Sequence, residues 1–245
     1  MSLRWLHIRL CAPLMSFGGV TVDQFGPTRD FPSISSLTGL FGNAMGWRWQ
    51  DRNLHQALQD RLIFGVGIAR QGKFITDNQN ARVYEGESGW TTWGEPEARN
   101  KGSSYTGKAE AGQVGDQAGR KWLTHRRQRE YLADHDCHVV LRLAEGDGAV
   151  LDELANSLQT PARPLYIGRK PCLPSVPMFA GWVRGGTARA ALMNLDVEWD
   201  NSGGALWPES NDLPDGARIL DLPDLRNWAS GLHGGTRKVV IGRLV

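Results

Sequence analysis

Pro27 to Trp47, PTRDFPSISSLTGLFGNAMGW, holds the helix that organises the chain. Leu37, Leu40, Phe41, Ala44 and Met45 recur at offsets of three, four, seven and eight, which sets them on one core-facing stripe. Ser33, Ser35 or Ser36 caps the first turn, and Pro32 fits just ahead of it. A helix start exposes unpaired N–H groups and the positive end of the macrodipole. With Arg29 and the hydroxyls alongside, this start is a candidate phosphate seat. A well-capped core helix beside a solvated Arg fits the same spacing.

Moving outward, Leu3 to Ala12 alternates, with Leu6, Ile8 and Leu10 on one side, and reads as a half-buried strand stopped by Pro13. A Gly- and Pro-punctuated loop joins it to the helix. Leu54 to Leu58 suggests a short helical piece. Leu62, Phe64, Val66 and Ile68 mark a second strand, and Phe74-Ile75 a short third. Cys137, Val139, Leu141 and Leu143 form another strand, and Asp147 to Leu158 a capped helix. Phe179 to Arg184 reads as strand, Thr187 to Leu195 as helix and Asp196 to Gly216 as loop. Ile219 to Leu222 and Lys238 to Leu244 read as closing strands. The order makes an α+β protein with most of a βαββαβ ferredoxin-like unit, a fold that hosts many functions.

The segment 81–122 breaks this pattern, with eight glycines and few large apolar residues. It cannot bury a core of its own, so it is either a surface insertion or a segment ordered on a partner. Arg120 to Leu132, RKWLTHRRQREYL, follows with five basic residues against one acidic. Arg126, Arg127 and Arg129 suit phosphates, while His125 and Tyr131 suit unstacked bases. A solvated charged face is the plain alternative.

At 245 residues the chain forms one large domain, or one with an elaborate insertion. Its 40% hydrophobic and 22% charged residues are ordinary for a soluble globular protein. A net charge of +2 permits a nucleic-acid partner without indicating one. Ten Trp is high for this length, and exposed ones serve as stacking platforms or partner anchors. Three separated cysteines without a CxxC pair argue against a disulfide framework or zinc site and suit a reducing cytoplasm. No membrane-spanning run or signal-peptide pattern is present, so no membrane partner is expected.

Walker A, GxGxxG, HExxH and GxSxG motifs are absent, and no cofactor is expected. His135-Asp136-Cys137-His138 crowds its candidate ligands on a strand that turns them to opposite faces, so no metal is assigned. His125, Lys121 and Tyr131 are residue types that cleave RNA without metal, though their spacing is not specific to that chemistry.

Five blocks in matching order resemble the Cas-five family of the RAMP superfamily, in its type I-E CRISPR Cascade branch. These are LHIRLCAPLMSFG, PTRDFPSISSLTGLFGNAMG, REYLADHDCHVVLRL, PLYIGRKPCLPSVPMFAG, and the tail containing DNSGGALWPES and ILDLPDLRNWA. The resemblance implies a ferredoxin-like, RRM-related palm (1–80 and 123–245) carrying a thumb insertion (81–122) and a β-rich C-terminal extension. It implies a non-catalytic subunit that holds the 5′ handle of the crRNA, caps the backbone subunits, lies next to the large subunit and meets target DNA through the complex.

Carried onto this chain, the handle surface is Met15, Ser16, Phe17, Gly18, Arg29, Ser33, Ser35 and Ser36. His125, Arg126, Arg127, Arg129, Tyr131, Arg169 and Lys170 join it, with Phe17 a stacking candidate. Thumb contacts to RNA or a partner fall on Trp90, Trp93, Lys101, Tyr105 and Lys108. A sister branch cuts precursor RNA with Tyr, Lys and His. An adjacent Lys-His pair after the thumb is missing here, and a metal-independent endoribonuclease is the alternative reading.

Overall fold

The computed structural model describes residues 2–21, 24–83, 89–90, 96–97, 123–144, 148–208 and 213–244, without the side chains of 80–83, 89–90, 96–97 and 123–126. In chain order it runs β1 (Leu3–Met15), β2 (Phe25–Gly26), α1 (Ile34–Ala44), α2 (Arg52–Arg61), β3 (Leu62–Arg70) and β4 (Lys73–Val83). Then follow β5 (Gly89–Trp90), β6 (Pro96–Glu97), β7 (Leu123–Leu143) and α3 (Gly148–Gln159). The chain closes with β8 (Phe179–Gly185), α4 (Ala188–Met193), β9 (Ala205–Pro208), β10 (Arg218–Leu222) and β11 (Arg237–Gly242).

Two compact units divide these elements. One comprises Met1–Gly19, Pro27–Ile75 and Glu130–Val245, the other Val20–Gly26 and Thr76–Arg129. The second is wider than the 81–122 insertion read from composition, because it takes in β2, most of β4 and the start of β7. Within it β2 pairs in parallel with β7, Phe25 opposite Gln128 and Gly26 opposite Arg129. β5 and β6 form a separate two-stranded ladder.

In the first unit the strands lie in the order β10-β11-β9-β3-β7-β1-β8, each neighbouring pair antiparallel. Strand periodicity sends Leu6, Ile8, Phe64, Val66, Val139 and Leu141 to one face, where they meet Leu37 and Phe41 of α1 and Leu151 and Leu154 of α3. The opposite face buries Trp5 and Val140 against α4, Trp207, Val240 and Leu244. Burying a side chain such as Phe41 or Trp207 completely stabilises the fold by about 2–3 kcal/mol.

Several readings need correction. Pro13 does not stop β1: Ala12 pairs with His135 and Leu14 with Ala133, leaving Pro13 opposite Asp134 at φ 54°. A proline without an N–H is tolerated where the ladder is locally distorted. The basic run, which the sequence reading left without an element of its own, is from Leu123 on the first part of the 21-residue β7. Its charged side chains hid the alternation. Phe74-Ile75 belongs to the longer β4, and the Leu54–Leu58 helical piece to all of α2. β9 lies in a stretch read as loop, because Gly203-Gly204 and Pro208 bracket a strand whose residues are nearly all buried and show no alternation. Among the described residues no helix is long and apolar enough to cross a membrane.

Candidate nucleic-acid interface

α1 begins as its serines predict. Ser33 is the N-cap and its Oγ accepts from Ser36 N–H at 3.0 Å; Ser36 Oγ donates back to the Ser33 carbonyl at 2.8 Å. The remaining N–H groups are not free for phosphate. Ile34 N–H donates to Asp224 Oδ2 at 3.1 Å, and Ser35 N–H to the Asp224 carbonyl at 3.4 Å. Asp224 is buried and held by Arg237 through contacts of 2.9–3.1 Å. The seat expected at this helix start is thus filled by the chain's own carboxylate. Arg29 does not reach into open solvent either, because its Nη2 donates to the Pro223 carbonyl at 3.0 Å.

Beyond β1 the chain is drawn inward. Met15, Ser16 and Phe17 are all buried. Phe17 N–H donates to Thr28 Oγ1 at 2.9 Å, and the Phe17 ring sets its edge against His135 at 6.0 Å between centroids. Phe17, expected as a stacking candidate, is packed into the core in this structure. Gly18, at φ 70°, turns the chain out again with open space around its Cα.

Against this turn sits the loop carrying Arg169-Lys170. Ser16 N–H donates to the Ile167 carbonyl at 3.3 Å. Gly168 adopts φ 84°, and a Cβ there would overlap the Ser16 carbonyl, so only glycine allows the two backbones to meet. Arg169 Nη1 donates to the Glu130 carbonyl at 3.0 Å and its guanidinium lies 4.7 Å over the Tyr131 ring. Glu130 Oε2 in turn accepts from Thr28 N–H at 3.1 Å. Tyr131 is buried beneath this arrangement and Lys170 is exposed beside it. The structure therefore brings Met15 to Gly18, Tyr131, Arg169 and Lys170 into one neighbourhood. Thr28, Glu130 and Gly168 complete it. Sequence reasoning passed over those three, although a Gly preceding a double-basic pair was a usable signal.

In the second unit Arg127 is exposed, while Arg129 folds over Gly26 and donates to the Gln24 and Gln128 carbonyls. Gln128 Nε2 donates to Asn78 Oδ1 at 3.0 Å. Arg127 and Arg129 share one face of β7 because they are two residues apart. His125, Arg126 and Trp90 lie on described backbone with side chains outside the description. Trp93, Lys101, Tyr105 and Lys108 lie outside the described residues altogether.

On the sheet face away from α1 and α3, Asp136 and His138 of the HDCH run take a different form from a metal site, while Cys137 alternates to the other face. His138 Nδ1 lies 2.8 Å from His7 Nε2, their rings stacked 5.0 Å apart, so one ring donates and the other accepts. Burial first, then the neighbouring His138 and Arg9, lowers His7 to about 4. Burial likewise lowers His138. Burial pushes Asp136 up, but hydrogen bonds at 2.6–3.2 Å and the charge of Arg9 outweigh it and hold the carboxyl below its ordinary value. Among the described residues no group of three or more His, Cys, Asp or Glu could hold a metal ion. Cys11, Cys137 and Cys172 are free and buried, and burial raises all three thiols.

Comparison with known proteins agrees with the resemblance. The Escherichia coli (strain K12) protein "CRISPR system Cascade subunit CasD" is 28% identical over 192 residues, 78% of this chain and 77% of that one. A solved chain titled "CRISPR RNA-guided surveillance complex" superposes with TM-score 0.64 at 20% identity, covering 97% of this chain and 88% of that one. Another, titled "Crystal structure of Cas protein", gives TM-score 0.57 at 21% identity, covering 98% and 95%. At those identities the two structures speak for the fold alone. The family model described as CRISPR-associated protein (Cas_Cas5) matches residues 5–240, nearly the whole chain, and the chain belongs to that family.

Proposed function

We propose that this chain is a non-catalytic RNA-binding subunit of a type I-E CRISPR Cascade surveillance complex, working in the cytoplasm in antiviral defence. It holds the 5′ handle of the crRNA, caps the backbone subunits and sits next to the large subunit, meeting target DNA only through the assembly. The observation that carries this reading is the likeness to a Cascade subunit over three-quarters of both chains. The order β8-β1-β7-β3, with α1 and α3 on one face, supports reading the centre of the first unit as a ferredoxin-like palm.

In the palm, RNA contact falls to Lys170, the Arg169 guanidinium stacked on Tyr131, and the backbone at Gly18. Met15, Ser16 and Phe17 shape that neighbourhood from below rather than touching a base. In the second unit Arg127 and Arg129 supply phosphate contacts, with His125 and Arg126 assigned from sequence. Trp90, Trp93, Lys101, Tyr105 and Lys108 are thumb contacts to RNA or a neighbouring subunit. Single-stranded RNA takes this mixture of cations, stacked planar groups and backbone clamps.

The endoribonuclease alternative gains nothing from the geometry, since Tyr131 is buried under Arg169 and not open to a 2′-hydroxyl. The test is UV crosslinking of the assembled complex with peptide mapping, alongside labelled repeat RNA in EDTA. Crosslinks between handle nucleotides and peptides containing Lys170 or Arg127, with the repeat RNA intact, are expected. A discrete metal-independent cut, or crosslinks confined to other subunits, overturns the assignment.

A further inference from the structure

Away from the handle region, α2 grips the loop between β10 and β11 with unusual thoroughness. Gln59 Nε2 donates to the Arg226 carbonyl at 2.9 Å, and Gln59 Oε1 accepts from Arg226 N–H at 3.2 Å and Trp228 Nε1 at 3.1 Å. Gln56 Oε1 accepts from Trp228 N–H at 3.1 Å. Beneath these bonds the His55 ring stacks on Trp228 at 4.5 Å and meets the edge of Trp47 at 5.2 Å. The loop closes on itself through Asn227 N–H to the Leu232 carbonyl at 2.9 Å.

What this scaffold presents outward is apolar. Trp49 and Leu232 are each 70% exposed, and Leu54 on α2 is also exposed. Arg52 ties the display together, donating to the Ala229 carbonyl at 2.6 Å and lying 4.4 Å over the Trp49 ring. A rigid, exposed Trp beside an Arg and leucines is the composition of an interface anchor held ready before binding.

We propose that Trp49, Arg52 and Leu232 form a docking surface for another protein chain of the complex, one presenting an apolar pocket edged by carboxylates. This rests on the reading of the chain as a complex subunit. Nucleic acid fits poorly, because the exposed centre of the patch is Trp49, Leu54 and Leu232, and leucine tips gain nothing from phosphates or ribose. The margin carries Arg48, Arg52 and Arg226, while the Asp51 carboxylate is turned to Arg48 N–H. That positive margin calls for acidic residues opposite. A second copy is disfavoured by the same charges, since a two-fold contact would set Arg48 and Arg52 against their own duplicates.

The test places a photoreactive benzoylphenylalanine at position 49 in the chain assembled with the other subunits of its complex. A crosslink to a different protein subunit, at a peptide containing carboxylates, is the expected result. A crosslink to RNA or to a second copy, or none from a fully assembled complex, overturns the proposal. In parallel, Trp49→Ala with Leu232→Asp is competed against wild type for incorporation. A loss of about tenfold or more is expected, with an unchanged thermal midpoint for the isolated variant. Equal incorporation sinks the docking surface alone. A wild type that joins no complex sinks the functional reading and this surface with it.

Discussion

Asp224 Oδ2 lies 3.1 Å from the backbone nitrogen of Ile34, 190 residues earlier in the chain, and caps α1 from the C-terminal extension. The same carboxylate is held by Arg237. One buried anion therefore satisfies a helix start and fastens the last third of the chain to the first helix. Asp224→Ala leaves Arg237 without its partner and Ile34 N–H without an acceptor. A loss of about 3 kcal/mol in urea unfolding is expected. A change below about 0.5 kcal/mol would show that the cap is incidental.

Lys170 is the exposed cation of the proposed palm contact. Lys170→Ala should leave the thermal midpoint unchanged while flattening the salt dependence of RNA retention. One single-strand phosphate contact lowers the log–log slope by about 0.7. An unaltered slope would remove Lys170 from the contact set.

Gly168→Ala tests the junction between the Arg169 loop and Ser16. Both the left-handed backbone and the overlap with the Ser16 carbonyl oppose a side chain. The variant is expected to lose about 2 kcal/mol or more and to shed RNA at moderate salt even when folded. Wild-type retention in the folded variant would mean that the loop's position does not matter to RNA.

The His7–His138 pair gives a pH dependence with a defined sign. His7 is lowered from 6.5 to about 4 in the folded chain, so the unfolded chain takes up its proton first on acidification. Stability is full above pH 6.5, falls between about 6.5 and 4, and levels off in this term below that. The Asp136–Arg9 pair adds its own loss only at lower pH, since the Asp136 carboxyl titrates below its ordinary value. Urea midpoints measured across this range should show a shallower acid slope in His7→Asn. Identical slopes would assign the dependence to other groups.

Where signals were local, the sequence was readable. The stripe of Leu37, Phe41 and Ala44 and the cap at Ser33 are set by residues within two helical turns, and both are found in place. The alternating strands around Leu6 and Val139 were equally visible. What escaped depended on distance or on mixed chemistry. Nothing near Ile34 announces Asp224, and nothing near Phe17 announces that Thr28 and His135 will close over it. The charged first half of β7 has no apolar face for periodicity to detect. Nothing near Arg29 signals that it will donate to the Pro223 carbonyl, which is remote in sequence.

The three buried thiols have a practical side. Each needs a base stronger than usual to ionise, and none is open to a bulky reagent, so maleimides should pass the native chain by at neutral pH. A single cysteine introduced at an exposed position outside both proposed contact surfaces, Glu153 or Asp215, would then carry a fluorophore without stripping out the natural ones. Assembly and RNA loading could be followed by energy transfer in a chain whose interior chemistry has not been altered.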